Sequence, residues 1–210
     1  MKLCEAMRNI LYLLLIIFLL AMTTQARSDD NQILEKVALV QQNIARLHAQ
    51  FVQSKVSDIF VEPQEAYGWI FLSKPGFLRW QYTAPQTIGV LLQDGQTYQL
   101  TLEQNEHESL PPAPAMINML MHSILEWMEM DLSILRQKYQ INLLPASALI
   151  IEFKPIGSQA MPIEALTIEF TSDGQLVQQV ILHEKGGDQT TITFSGHEIN
   201  FNQLAIFGAQ

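Results

Sequence analysis

From about Ala49 the chain takes on a period of two, and the strand signal is densest from Tyr67 to Leu102, where short interruptions fold the chain back on itself. Lys74-Pro75-Gly76 and Asp94-Gly95 are turn sequences. Proline fixes one backbone angle, glycine accepts left-handed conformations, and Asp-Gly suits the two-residue loop of a hairpin. Ala84-Pro85 adds a third break. The segment predicts a meander of four strands: Tyr67–Ser73, Phe77–Thr83, Thr87–Leu92 and Gln96–Leu102. Successive strand residues point to opposite faces. Leu78, Trp80 and Tyr82 therefore share one face and Arg79 and Gln81 the other, while Ile88, Val90 and Leu92 oppose Gly89, Leu91 and Gln93. One face of this sheet is markedly apolar and bulky.

Elements on either side supply what can cover that face. Asp29 and Asp30 can cap a helix starting near Asn31, with Ile33, Val37, Val40, Ile44, Leu47 and Phe51 on its apolar stripe. Its polar face carries Glu35, Gln41, Gln42 and Arg46, and period two takes over from about Ala49. Pro111, Pro112 and Pro114 break the chain over Ser109 to Ala115. Met116 to about Tyr139 then reads as helical, with Asp131 capping a second helix. Strands follow at Ala148–Lys154, Glu164–Thr171, Leu176–Glu184 and Thr190–Ser195, separated by Pro/Gly-containing loops, Asp173-Gly174 and Gly186-Gly187-Asp188. The order is that of an α+β fold, a large antiparallel sheet with helices on one face.

The N-terminus reads as an export signal. Lys2 and Arg8 precede an apolar run from Ile10 to Met22, and Thr24-Gln25-Ala26 offers small residues to a signal peptidase. That run fits a secretory h-region of about 7–15 residues better than a bilayer span of about 20. An uncleaved anchor is the rival reading. Cleavage after Ala26 would leave residues 27–210 as one domain and would remove Cys4, the one cysteine, so the mature chain would have no disulfide and no thiolate chemistry. The full chain has a formal net charge of −9, and loss of residues 1–26 makes the remainder more acidic. Such a charge argues against nucleic acid and against tight adsorption to anionic lipid, both of which need Lys and Arg.

Signatures of catalysis are weak. His107-Glu108, His183-Glu184 and His197-Glu198 tempt a metalloenzyme reading, but none continues as His-Glu-x-x-His, and neighbours on a strand diverge. Exposed loop and strand-end positions are the plainer reading of all three. Phe194-Ser195-Gly196 is not a nucleophile elbow, and there is no glycine-rich phosphate loop. Asp29-Asp30, Glu103 with Glu106, and Glu126 with Glu129 read as solvated faces. The expectation is a protein without catalysis, metal or cofactor. The helix after the prolines stands out instead, because Met116, Met119, Met121, Met128 and Met130 stand among Ile117, Leu120, Ile124, Leu125 and Trp127. It is either a core helix with methionine filling gaps or an adaptable lid over an apolar cavity.

An ordered set of motifs then carries a family resemblance. Phe51-Val52-Gln53 is followed by Gly68-Trp69-Ile70-Phe71-Leu72-Ser73-Lys74-Pro75-Gly76-Phe77-Leu78-Arg79-Trp80-Gln81-Tyr82, by Pro85, and by the stretch ending in Asp94-Gly95. This resembles the periplasmic outer-membrane lipoprotein carrier family, LolA. The resemblance implies an incomplete antiparallel β-barrel whose open, apolar side is covered by helices. It implies a periplasmic monomer that shelters lipoprotein or other lipid acyl chains and passes them from an inner-membrane transporter to an outer-membrane acceptor. The expected lipid-binding residues are Ile70, Leu78, Trp80, Tyr82, Ile88, Val90, Ile117, Leu120 and Ile124. Lys74 stands where the family's basic residue holds the lid; lysine replaces a planar fork with a point charge. An envelope regulator using the same half-barrel to bind a protein partner is the alternative, and a lipid hydrolase is a more distant one.

Overall fold

The computed structural model describes residues 29–101, 111–157 and 163–201. The signal-peptide reading of residues 1–26 and the dipeptide His107-Glu108 lie outside them. The chain divides into two compact units, residues 1–36 and 37–210. In the first, residues 29–36 are the opening turns of helix α1, which continues to residue 42.

The second unit is built on one ten-stranded antiparallel sheet. After α1 come β1 (Arg46–Val56), β2 (Gln64–Ser73), β3 (Phe77–Ala84), β4 (Ile88–Gln93) and β5 (Gln96–Thr101). Helices α2 (Ala115–Glu129) and α3 (Leu132–Lys138) follow, then β6 (Tyr139–Leu143), β7 (Leu149–Pro155), β8 (Ile163–Phe170), β9 (Val177–Glu184) and β10 (Gln189–Ile199). The strand order is β5-β4-β3-β2-β1-β10-β9-β8-β7-β6, so two meanders are joined by the β1–β10 pair. The edge strands β5 and β6 do not pair with each other, and the sheet stays open. This is the expected α+β incomplete barrel.

Local chemistry explains the boundaries. Asp94 and Gly95 take φ values of 52° and 74°, as a primed hairpin turn requires, and Gln93 pairs with Gln96 across them. Asp131 caps α3, its carboxylate accepting from the backbone N–H groups of Ser133 and Ile134. Two boundaries depart from the sequence expectation. Helix α1 ends at residue 42, and Leu47, Ala49 and Phe51 are buried on one face of a strand rather than on a helical stripe. Helix α3 does end at Tyr139, its C-cap, but the same residue opens β6, a strand absent from the sequence expectation that pairs with β7.

The inner face of the sheet carries the core. Leu47, Ala49 and Phe51 of β1 stand opposite Leu72, Ile70 and Gly68 of β2. A Cβ at Gly68 would lie 2.0 Å from the Gln81 carbonyl oxygen and 2.6 Å from the Phe51 ring, so only glycine fits beneath that ring. Phe51 in turn packs against Trp80, Tyr82 and Phe194, with ring centroids 4.5, 5.4 and 6.5 Å away. The outer face has its own apolar group, with the Arg79 guanidinium 4.9 Å from the Trp69 ring centre. Trp69 and Trp80 therefore lie on opposite sides of the sheet.

Candidate functional site

Helix α2 crosses the inner face without filling the space beneath it. Of its fifteen residues only Met121, Ser123 and Trp127 are buried, whereas Ile117, Leu120, Ile124 and Met128 are half-exposed although they point at the sheet. Apolar side chains facing inward yet still accessible mean a hollow. Its volume is about 410 Å³, within the range of about 300–1,000 Å³ typical of small-molecule sites.

Three walls enclose it. Ile70, Leu72, Trp80, Tyr82, Ile88 and Val90 come from β2, β3 and β4. Leu166, Ile168, Phe170, Val180, Leu182, Ile192 and Phe194 come from β8, β9 and β10. The α2 residues close the third side. Register brings the first wall together, since Trp80 pairs with Ile70 on one flank and Val90 on the other, and Tyr82 pairs with Ile88. Ile70 and Leu166 are closed to water while bordering the space, whereas Ile88 at 46% exposure marks an opening.

Ile70, Trp80, Tyr82, Ile88, Val90, Ile117, Leu120 and Ile124 all border the cavity. Leu78 does not. It shares their face but is fully buried, between its strand partners Leu72 and Leu92. The wall from β8, β9 and β10 went unrecognised in the sequence. Its signal was there, in the period-two spacing of Leu166, Ile168 and Phe170 and of Val180 and Leu182. Nothing in the alternation said that these strands face Trp80.

Both ends of α2 are fastened. At its start the backbone around Pro112 pairs with β5, and Thr97 Oγ1 donates to Asn118 Oδ1 at 2.6 Å. At its end Gln42 Nε2 donates to the Met130 carbonyl at 3.2 Å, and Lys138 pairs with Glu126 at 2.6 Å. Lys74, expected to hold the lid, feels the charge of Glu129 at this end of α2, but among the described residues its hydrogen bond does not go to that helix. Its Nζ donates instead to the main-chain carbonyl of Gln41 in α1, at 2.7 Å. That carbonyl, which also accepts from the Ile44 N–H at 3.1 Å, lies at the C-terminal end of α1, where the negative end of the helix dipole attracts a cation. Burial pulls the Lys74 amine below the ordinary lysine range, and the charge of Glu129 partly offsets this.

Other polar groups at the wall are already engaged. Gln41, expected on a polar face, is buried and its Nε2 donates to the carbonyls of Gly174 and Gln175, at 2.6 and 3.0 Å. Tyr82 Oη donates to Gln53 Oε1 at 2.8 Å, and burial raises the phenol above its usual range. His197, expected at an exposed strand end, lies at the cavity with Nε2 2.8 Å from the Val177 carbonyl. His183-Glu184 belongs to β9, where Glu184 pairs with Lys55 at 2.9 Å. Among the described residues no three His, Cys, Asp or Glu side chains cluster as metal ligands do, and no helix is long and apolar enough to cross a membrane.

An open antiparallel sheet with a helix held over an apolar hollow defines the class as a half-barrel with an apolar cavity. The particular family follows from the sequence itself. Residues 42–204 match the family described as "Outer membrane lipoprotein carrier protein LolA", and the chain belongs to that family. No curated protein matches it. Among solved structures it is similar to MucB, with 15% identity, a TM-score of 0.53, and coverage of 87% of this chain and 62% of MucB. This chain thus spans about three-fifths of MucB's length. A LolA superfamily protein from Nitrosomonas europaea matches over 85% of this chain and 96% of its own, at 8% identity and a TM-score of 0.47. The lipoprotein LppX from Mycobacterium tuberculosis matches over 82% and 98%, at 12% identity and a TM-score of 0.42.

Proposed function

We propose that this protein is a periplasmic carrier that shelters acyl chains of lipoproteins, or of another lipid, in the cavity beneath α2 and moves them from inner to outer membrane. Residues 1–26 direct its export, and residues 27–210 work as a monomer. The observation that carries the reading is the hollow itself, with apolar side chains on three walls and half-exposed α2 residues turned toward it. A methylene is close in bulk to a water molecule, whose share of liquid volume is about 30 Å³, so the cavity holds roughly fourteen such units. At about 0.8 kcal/mol each, burying them offsets on the order of 11 kcal/mol of exposure to water. An inner-membrane transporter would load the carrier and an outer-membrane acceptor would receive the cargo. No step in this scheme breaks a covalent bond.

Transfer between vesicles tests it. Delipidated protein should extract a fluorescent acyl lipid from donor vesicles, hold it in solution as a protein complex, and release it to acceptor vesicles. Ile124→Glu, which places a carboxylate in the α2 wall, should abolish extraction while the circular dichroism spectrum stays that of the parent. Absence of extraction by the parent protein, with stoichiometric capture of a single envelope protein, would favour the partner-binding alternative.

A further inference from the structure

The cavity is uneven in charge. The chain has 21 Asp and Glu residues against 12 Lys and Arg, yet among the described residues no carboxylate lines the cavity, and the one Lys or Arg at its wall is Lys74. An ammonium offers three donors. Lys74 gives one to the Gln41 carbonyl, and among the described residues no carboxylate lies within ion-pair distance of its Nζ. A half-buried cation bordered by apolar surface is unfavourable unless something negative approaches it.

The surroundings of Lys74 form a polar end to an otherwise apolar space. Hydrogen bonds run from Lys74 to Gln41 and on to the carbonyls of Gly174 and Gln175, and two residues further along the Val177 carbonyl meets His197. Lys74, Gln41, Gln175 and His197 all border the cavity. Resting on the carrier reading, we infer that the preferred ligand bears an oxyanion, a carboxylate or a phosphate, at the head of its acyl chain, and that Lys74 Nζ receives it. The chain lies along the walls under α2 and the head sits where the wall turns polar. A neutral glyceryl head would leave the lysine with only the charge of Glu129, which lies beyond ion-pair distance. This selects the cargo by charge at one end and by apolar burial along the rest, a two-part specificity that apolar walls alone would not give.

Calorimetric titration of the delipidated full protein distinguishes the possibilities. Palmitate and palmitoyl lysophosphatidate present the two oxyanions, monopalmitoylglycerol presents a neutral head, and acetate and inorganic phosphate present the anions without a chain. Both anionic lipids should bind at least about tenfold more tightly than monopalmitoylglycerol, as one charge-assisted hydrogen bond in a partly buried site allows. Lys74→Met should bring that ratio close to one, Lys74→Arg should preserve it, and Lys185→Met, in an exposed hairpin turn, should leave it unaltered. Equal affinities in the parent protein would overturn the inference and leave the carrier reading standing. So would a Lys74→Met protein that loses neutral and anionic lipids by the same factor, because Lys74 would then only brace α1. Chainless phosphate competing as well as palmitate would also overturn it. If no acyl ligand binds, the carrier reading falls as well.

Discussion

Val180 provides a substitution whose two possible consequences have opposite signs. It sits on β9 between Ile168 of β8 and Ile192 of β10, and its half-buried side chain borders the cavity. Val180→Phe adds about four carbon atoms at that point. If the space is hollow, the ring enters it, displaces about four methylenes of ligand, and weakens acyl binding by about 3 kcal/mol, or roughly two hundredfold. The fold itself should hold or gain stability, because the new ring buries apolar surface without displacing protein atoms. If the interior is instead solid, overpacking should cost about 1–3 kcal/mol and lower the thermal midpoint by several degrees. Differential scanning calorimetry and titration with a fluorescent acyl probe, run on the same samples, read both quantities. A lowered midpoint with unchanged probe affinity would refute the reasoning.

Two further outcomes follow from geometry and burial. Gly68→Ala should destabilise the fold by about 3 kcal/mol, the upper end of overpacking costs, since the added carbon meets a main-chain oxygen that cannot swing away; chemical denaturation measures it. Burial lowers the Lys74 pKa in the folded state from its ordinary 10.5, so the unfolded chain holds more protons between the two values. Stability relative to Lys74→Met should therefore rise with pH across that window and level off above the unfolded value. Urea titrations carried up to about pH 11 follow it, and a fall through the same window would contradict the assignment.

How far the sequence foretold this depends on the kind of information each residue carries. The meander of β2 to β5 was legible because turn chemistry is local: Asp94-Gly95 needs no tertiary partner to favour its hairpin, and Asp131 caps α3 with its own carboxylate. Segment Tyr139–Leu143 was obscured because its alternation continues a helical apolar run, and its pairing with β7 is a tertiary fact. Gln41 read as a surface residue because its partners, the carbonyls of Gly174 and Gln175, lie more than a hundred residues away. The contrast of Leu78 with Trp80 is the sharpest case. Both alternate onto one face, and only tertiary packing decides that Leu78 is fully buried while Trp80 borders a void. Composition and period identify an apolar face; they do not say whether it meets atoms or empty space. For the same reason Lys74 could be assigned a position at a turn but not its acceptor on α1.

Occupancy of the space beneath α2 is read most directly from the tryptophans. The chain has three, of which Trp80 and Trp127 border the cavity and Trp69 packs under Arg79 on the opposite face of the sheet. Bromine quenches indole fluorescence only at near contact, so an acyl ligand brominated along its chain reports which tryptophans it touches. A Trp69→Phe protein, retaining the two cavity tryptophans, should be quenched on saturation, while Trp80→Phe/Trp127→Phe, retaining Trp69 alone, should not. Quenching of Trp69 with Trp80 and Trp127 unaffected would place the ligand on the outer face and contradict the cavity account.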